Sequence, residues 1–240
     1  MTQHDERIVR RKLSDEVFAR LRDLIASGEF GPGDLMPSER DLMERFGVGR
    51  PAIREAMQTL HNMGLIVVSH GERARVSELT ARTMFKQIDV VARMLVSTTP
   101  ETLDQLKDTR RFYERGLVRL AAERATDADL DELEEIINRQ ESHFGDQRLF
   151  IADDIAFHRK IAAISGNPML EALSESMLNW LFEYHTEMLI WTGKERITLS
   201  EHCAILDCLR QRDMEAAEKA MIVHIDRSGT LYSYPPQGRR

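Results

Sequence analysis

Residues 37–76 read PSERDLMERFGVGRPAIREAMQTLHNMGLIVVSHGERARV, and their punctuation decides the fold. Ser38 can cap a helix, with Asp41 three residues on to return the bond. Leu42 and Phe46 lie four apart and share one face of that helix. Gly47 closes it. Arg50-Pro51 opens a second helix, because proline is tolerated in a first turn. Ile53, Met57 and Leu60 give the second helix an apolar stripe, and Gly64 stops it. LIVVS and RARVS then predict two short strands around a His70-Gly71-Glu72 turn. Two short helices, tightly joined and followed by a hairpin, make a winged helix-turn-helix pattern.

Function in such a pattern depends on where the arginines fall. Arg50 and Arg54 are one helical turn apart on the second helix, and Arg40 sits on the first. A recognition helix offers its N-terminal residues to base edges in the major groove. The planar fork of arginine matches guanine O6 and N7. Taken singly, each arginine reads as part of a solvated face of mixed charge, since Glu39, Asp41, Glu44 and Glu55 lie among them. Helix, turn, helix and basic hairpin together point to duplex DNA.

This segment resembles the DNA-binding domain of the GntR family of bacterial regulators. The resemblance implies that Arg40, Arg50 and Arg54 touch bases or phosphates. It places Ser38 and the wing's Arg73 at the DNA, lets the wing tip approach the minor groove at Gly71, and puts an extended strand near Leu35 against the wing. The usual wing has Gly-x-Gly and then an apolar residue. Here it is Gly71-Glu72-Arg73-Ala74-Arg75-Val76, without the second glycine and with two arginines added. That wing resembles the regulators of sialic acid catabolism within the family.

The chain of 240 residues can hold one large or two modest domains. A formal charge of −7 looks wrong for a DNA-binding protein. Residues 1–78 hold 12 Lys and Arg against 13 Asp and Glu, leaving 21 against 27 in the remainder. The N-terminal module is thus close to neutral, its basic side must come from clustering, and its DNA binding should be salt-sensitive. Cys203 and Cys208, five apart, match neither a metal-binding pair nor a disulfide framework, so reduced, buried thiols are expected. No apolar run approaches the length of a membrane span and the N-terminus has no signal-peptide core, so a cytoplasmic protein is expected.

Ahead of the decisive stretch, Arg10, Arg11 and Lys12 form a small basic arm that reads as a DNA-tracking segment or a loose tail. Ser14 is the expected cap of a helix to Ala26, with Val17, Leu21, Leu24 and Ile25 inward. Beyond Val76, residues 80–96 predict a linker helix with Met84, Ile88, Val91 and Leu95 on one side, broken at Ser97-Thr98-Thr99-Pro100. From there helices are predicted over 101–124, 127–143, 147–164, 168–191, 195–211 and 214–230. Thr126, Asn167 and Asp213 open three of them. Short turns between helices indicate an antiparallel bundle. The expected architecture is mainly α: a winged helix-turn-helix domain over 1–78, a linker helix over 79–100 and an all-α bundle of six to seven helices over 101–240.

Within that bundle, Asp154 and His158 are four apart and point the same way. His202 and His224 lie on later helices. One carboxylate and three imidazoles would suit a divalent transition metal. Each histidine alone is as readily a core or surface residue with an ordinary hydrogen bond, the reading kept for His4, His61, His70, His143 and His185. Likewise Arg110 and Glu114 could be a surface ion pair of little energetic weight. Trp180, Tyr184 and Trp191 read as core.

DTRRFYERGLVRLAAERAT, DIAFHRKIAAISGNPML and EHCAILDCLRQRDMEAAEKAMIVH together resemble the effector domain of the FadR subfamily. In its metal-binding members an Asp-x-x-x-His pair and two later histidines hold the ion. Those positions fall on Asp154, His158, His202 and His224, which implies a divalent metal, zinc first, with nickel or manganese as alternatives. The same resemblance turns Arg110 toward a cavity, where it can grip a small carboxylate in a two-point fork. The expected protein is a ligand-responsive regulator, a repressor, binding operator DNA as a homodimer, with no membrane partner. The rivals are a metal-dependent enzyme acting on a sugar acid, and a regulator whose metal is structural or is itself the signal. An enzyme would need a separate base and substrate-positioning groups, for which the sequence offers no motif.

Overall fold

A computed structural model of the chain describes residues 12–69, 72–182 and 194–229. The expectations placed on His4, Arg10, Arg11, His70, Gly71, Tyr184, His185 and Trp191 lie outside these residues. The described chain is mainly α, and it divides into two compact units, residues 1–87 and 88–240.

The first unit holds α1 (Leu13–Ala26), α2 (Glu39–Phe46), α3 (Arg50–Asn62), β1 (Ile66–Val67) and β2 (Arg75–Val76). At the start of α2, Ser38 Oγ accepts from the Asp41 N–H, and the Asp41 carboxylate accepts from the Ser38 N–H, both at 3.2 Å. Gly47 ends α2 in the left-handed region (φ 65°), where a side chain would strain the backbone. Pro51 lies in the first turn of α3. β1 and β2 pair antiparallel, Ile66 with Val76 and Val67 with Arg75. They are shorter than the predicted strands. Leu35 adds one bridge to Arg75. Val17, Leu21, Leu42, Ile53, Leu60, Ile66 and Val76 form one buried cluster that fixes the three helices and the hairpin together. Ser14 does not cap α1. The helix starts two residues earlier, at Leu13 with Lys12 in the cap position, and Ser14 is buried inside its first turn.

Helix α4 (Ala81–Thr98) contains the boundary between the units and runs further than predicted. Its break shrinks to Thr99, because Pro100 starts the next helix at once. Met84, Ile88, Val91 and Leu95 do share a side, and all four are exposed.

The second unit continues with α5 (Pro100–Arg124), α6 (Asp127–Ser142), α7 (Gln147–Ile164), α8 (Pro168–Phe182), α9 (Glu195–Arg210) and α10 (Met214–Gly229). The first and last of these pack together, α9 packs on α10 and α6, and α7 packs on α5, α6 and α8. Thr126 and Asp129 form a capping box at α6, while Asn167 and Asp213 accept from N–H groups at the starts of α8 and α10. One core runs through the bundle, from Leu117 and Val118 of α5 through Leu133 and Ile137 of α6, Phe157 and Ile161 of α7 and Ile205 of α9 to Met221 of α10. The expectation of buried thiols is corrected: Cys203 is exposed and Cys208 half-buried, because His202, Ile205, Leu206 and Leu209 take the inward face of α9. Both thiols are unpaired.

Candidate metal centre and nucleic-acid interface

Asp154 and His158 project from α7, His202 from α9 and His224 from α10, all into the bundle interior. One potential donor atom from each lies within 4.8 Å of the others, and all four side chains are buried. His158 Nε2 stands 3.1 Å from His224 Nε2, and His202 Nε2 stands 3.4 Å from Asp154 Oδ1. Phe157 stacks on the His202 ring at 4.0 Å between centroids and fixes its plane.

Outer partners fix the tautomers of His202 and His224 and favour one for His158. Gln140 donates through its amide nitrogen to the Phe150 carbonyl (3.2 Å), which leaves its oxygen to accept from His202 Nδ1 (2.9 Å). Glu201 accepts from His224 Nδ1 (2.8 Å) and is itself clasped by Arg227 (2.6 Å from Nε). The Nδ1 of His158 meets the buried Glu114 at 3.3 Å. With an oxygen at every Nδ1, the protons sit outward and the three Nε2 lone pairs face inward. With the Nδ1 protons outward, the Nε2 lone pairs of His158 and His224 meet at 3.1 Å, and a cation between them would satisfy both. The donor set of three neutral imidazoles and one carboxylate fits a divalent transition metal.

The electrostatics agree. Burial pushes His202 well below the ordinary imidazole range and His224 below it as well, so both stay neutral. Burial raises Asp154, but its histidine and Arg110 neighbours lower it by more and hold the carboxyl below its ordinary range.

Arg110 is buried on α5, with its Nε 3.6 Å from Glu114. It is no surface ion pair: the side chain is 2% exposed and lines a cavity of about 320 Å³ with Lys107, Arg111, Leu181 and Asp226. Gln140, Glu201 and the histidine contact of Glu114 were missed from sequence. Gln140 carried a readable signal, as an amide on an otherwise apolar stripe with Leu133, Ile136 and Ile137. Nothing in the sequence marked Glu201, because its partner sits on another helix. Outside the centre, His61 Nδ1 lies 3.2 Å from the Ile66 carbonyl and His143 Nδ1 lies 2.6 Å from Asp153. Trp180 is buried in a smaller cluster with Leu103 and Leu181.

In the first unit, Arg50 and Arg54 emerge side by side from α3, with side chains 64% and 71% exposed. Glu39 of α2 lies between them, 3.6 Å from Arg50 and 3.5 Å from Arg54. Arg40 is exposed beside Glu44 at 3.8 Å. Ser38, Arg54 and Arg73 line a cleft of about 350 Å³ between α3 and the wing. Arginines on the first turns of a solvent-facing helix, beside a basic wing, are the side chains that can reach base edges and phosphates.

Comparison with known proteins agrees with both halves. Residues 13–76 match the bacterial regulatory proteins of the gntR family, and residues 98–227 match the FCD domain. Over 236 residues the chain is 38% identical to the HTH-type transcriptional repressor NanR of Citrobacter rodentium, covering 97% of this chain and 90% of that protein. It is 37% identical to the protein of the same name from Cronobacter sakazakii, over 91% of this chain and 85% of the relative. Among solved structures, Streptococcus agalactiae GntR superimposes with a TM-score of 0.69 at 26% identity, covering 90% of this chain and 99% of that one.

Proposed function

The chain belongs to the gntR family of bacterial regulatory proteins and carries an FCD domain, and from that premise we propose a ligand-responsive repressor that binds operator DNA as a homodimer and senses a small sugar acid beside a divalent metal. The observation that carries this reading is the buried set of Asp154, His158, His202 and His224 with Arg110 nearby. Membership of the family makes the chain a DNA-binding transcriptional regulator, not an enzyme.

Arg50 and Arg54 read base edges, Arg40 and Arg73 contact the duplex around them, and Ser38 holds the start of α2 in register. Asp154, His158, His202 and His224 hold the metal, zinc first, with nickel or manganese as alternatives. When bound, the cation supplies a Lewis-acid position for an oxygen of the acid. Arg110 takes the acid's carboxylate in a two-point fork. The arginine-bearing wing, which resembles that of sialic acid regulators, supports sialic acid as the effector. Regulation then requires that the acid bind one arrangement of the DNA-binding units better than the other. A two-fold dimer implies two half-sites in the operator.

A thermal-shift screen of small carboxylates, run with and without chelator, tests the sensing half. Sialic acid should raise the melting temperature only with metal present. Stabilisation that survives the chelator would remove the metal from the ligand site. Operator binding titrated with metal alone separates a structural metal from a sensed one. Reporter expression that falls on deletion of the gene would overturn repression.

A further inference from the structure

The three histidines of the cluster are held from outside in two different ways. For His202 and His224 the outer oxygen is locked. Gln140 is pinned by its own bond to the Phe150 carbonyl, and Glu201 is clasped by Arg227 through Nε at 2.6 Å and Nη2 at 2.5 Å. The carboxylate beside His158 is not locked in this way. Glu114 is 1% exposed, and neither of its oxygens has an aligned hydrogen bond among the described residues. One oxygen faces His158 Nδ1 at 3.3 Å and the other faces Arg110 Nε at 3.6 Å. Arg110 lies one turn earlier on the same helix and lines the cavity.

We infer that Glu114 is a positioning residue shared between the metal centre and the acid-binding arginine, so that cation and acid each strengthen the binding of the other. The inference rests on the metal and Arg110 roles proposed above. Each Glu114 oxygen stands long of its own partner, at 3.3 Å from His158 and 3.6 Å from Arg110, so a shift of the carboxylate toward one partner lengthens its contact with the other. An acid that takes the guanidinium of Arg110 releases Glu114 toward the His158 N–H, which orients the imidazole for a cation. A cation on His158 draws Glu114 the same way, away from Arg110 Nε, and so weakens the competition that the acid meets there. The two effects are one coupling free energy and must be equal in size.

The test measures zinc affinity of the full chain by competition with a chromophoric chelator. Glu114→Gln keeps the size and removes the charge. Zinc should bind it on the order of tenfold more weakly than wild type, the scale of outer-partner loss at metal sites. Arg110→Gln should strengthen zinc binding when Glu114 is present and leave it unchanged in the Glu114→Gln background. An equal gain in both backgrounds would mean simple charge repulsion and overturn the shared role. Added N-acetylneuraminate should tighten zinc more in wild type than in Glu114→Gln, where only the direct contact of acid and cation remains. Should the glutamine variant fail to fold, Glu114→Asp, which keeps the charge and shortens its reach, must still weaken zinc. Equal zinc affinity in wild type and variants overturns this inference alone. A wild-type chain that holds no zinc, nickel or manganese overturns the metal reading and this inference with it.

Discussion

Glu39 faces two arginines at once, and that contact bears on how the protein selects DNA. Its carboxylate lies within 3.6 Å of both Arg50 and Arg54, on a solvent-facing surface where each pair is worth about 0.2–1 kcal/mol. A duplex must displace it. Random DNA offers mainly phosphate contacts in return, whereas a cognate site adds base contacts. Glu39→Gln should therefore raise affinity for random DNA several-fold, measured by fluorescence anisotropy at fixed salt, and narrow the gap to a selected site. Arg54→Ala should weaken binding to a selected site by about 1–3 kcal/mol if the side chain reads a base. An equal loss on random DNA would assign it to phosphate. At this scale the sequence was informative about type and spacing: Arg50 and Arg54 had to share a side of any helix. It counted Glu39 among the nearby acids but did not single it out as the one the turn folds back between them.

Elements announced themselves by their ends. The Thr126-Asp129 box at α6 was signalled by Thr126 ahead of an acidic turn, and both reciprocal bonds form, at 3.2 and 2.9 Å. Thr126→Ala should cost about 1 kcal/mol in urea unfolding of the bundle. The Thr126 hydroxyl, with Lys160, holds the Asp129 carboxyl down at about 2. A depressed carboxyl contributes stability that is fully present above its unfolded value and lost as the pH falls through the folded one. Acid titration from pH 5 to 2 should thus show a loss of stability that Asp129→Asn reduces. Ser14 looked like a cap and is not one, since a cap depends on where the chain turns, and α1 begins with Lys12 extended. α4 shows the same gap between pattern and packing. Its apolar side is regular in sequence, yet Ile88, Val91 and Leu95 stay exposed in a single chain.

The two units of the molecule give its largest predictions. If the metal ties α7, α9 and α10 together, zinc should raise the melting temperature of the second unit and a chelator should lower it, because a ligand that binds only the folded state stabilises it by mass action. His224→Ala should lower metal content and abolish the acid response, leaving the transition of the first unit unchanged by calorimetry. Unchanged stoichiometry would remove His224 from the ligand set. Sedimentation should give twice the 27.7 kDa of one chain if the protein is a dimer. No helix among the described residues is long and apolar enough to cross a membrane. Sequence alone determined the class of fold and the residues able to do chemistry. Period, caps and glycine stops are local, set within a turn or two of chain. It also showed that Asp154 and His158 share a face. Tertiary structure alone decided that His202 and His224 meet them, that Gln140, Glu201 and Glu114 stand behind the three rings, and that Arg110 turns inward. Those choices depend on the rotation and register of one packed helix against another, which many distant side chains fix together and no short stretch encodes.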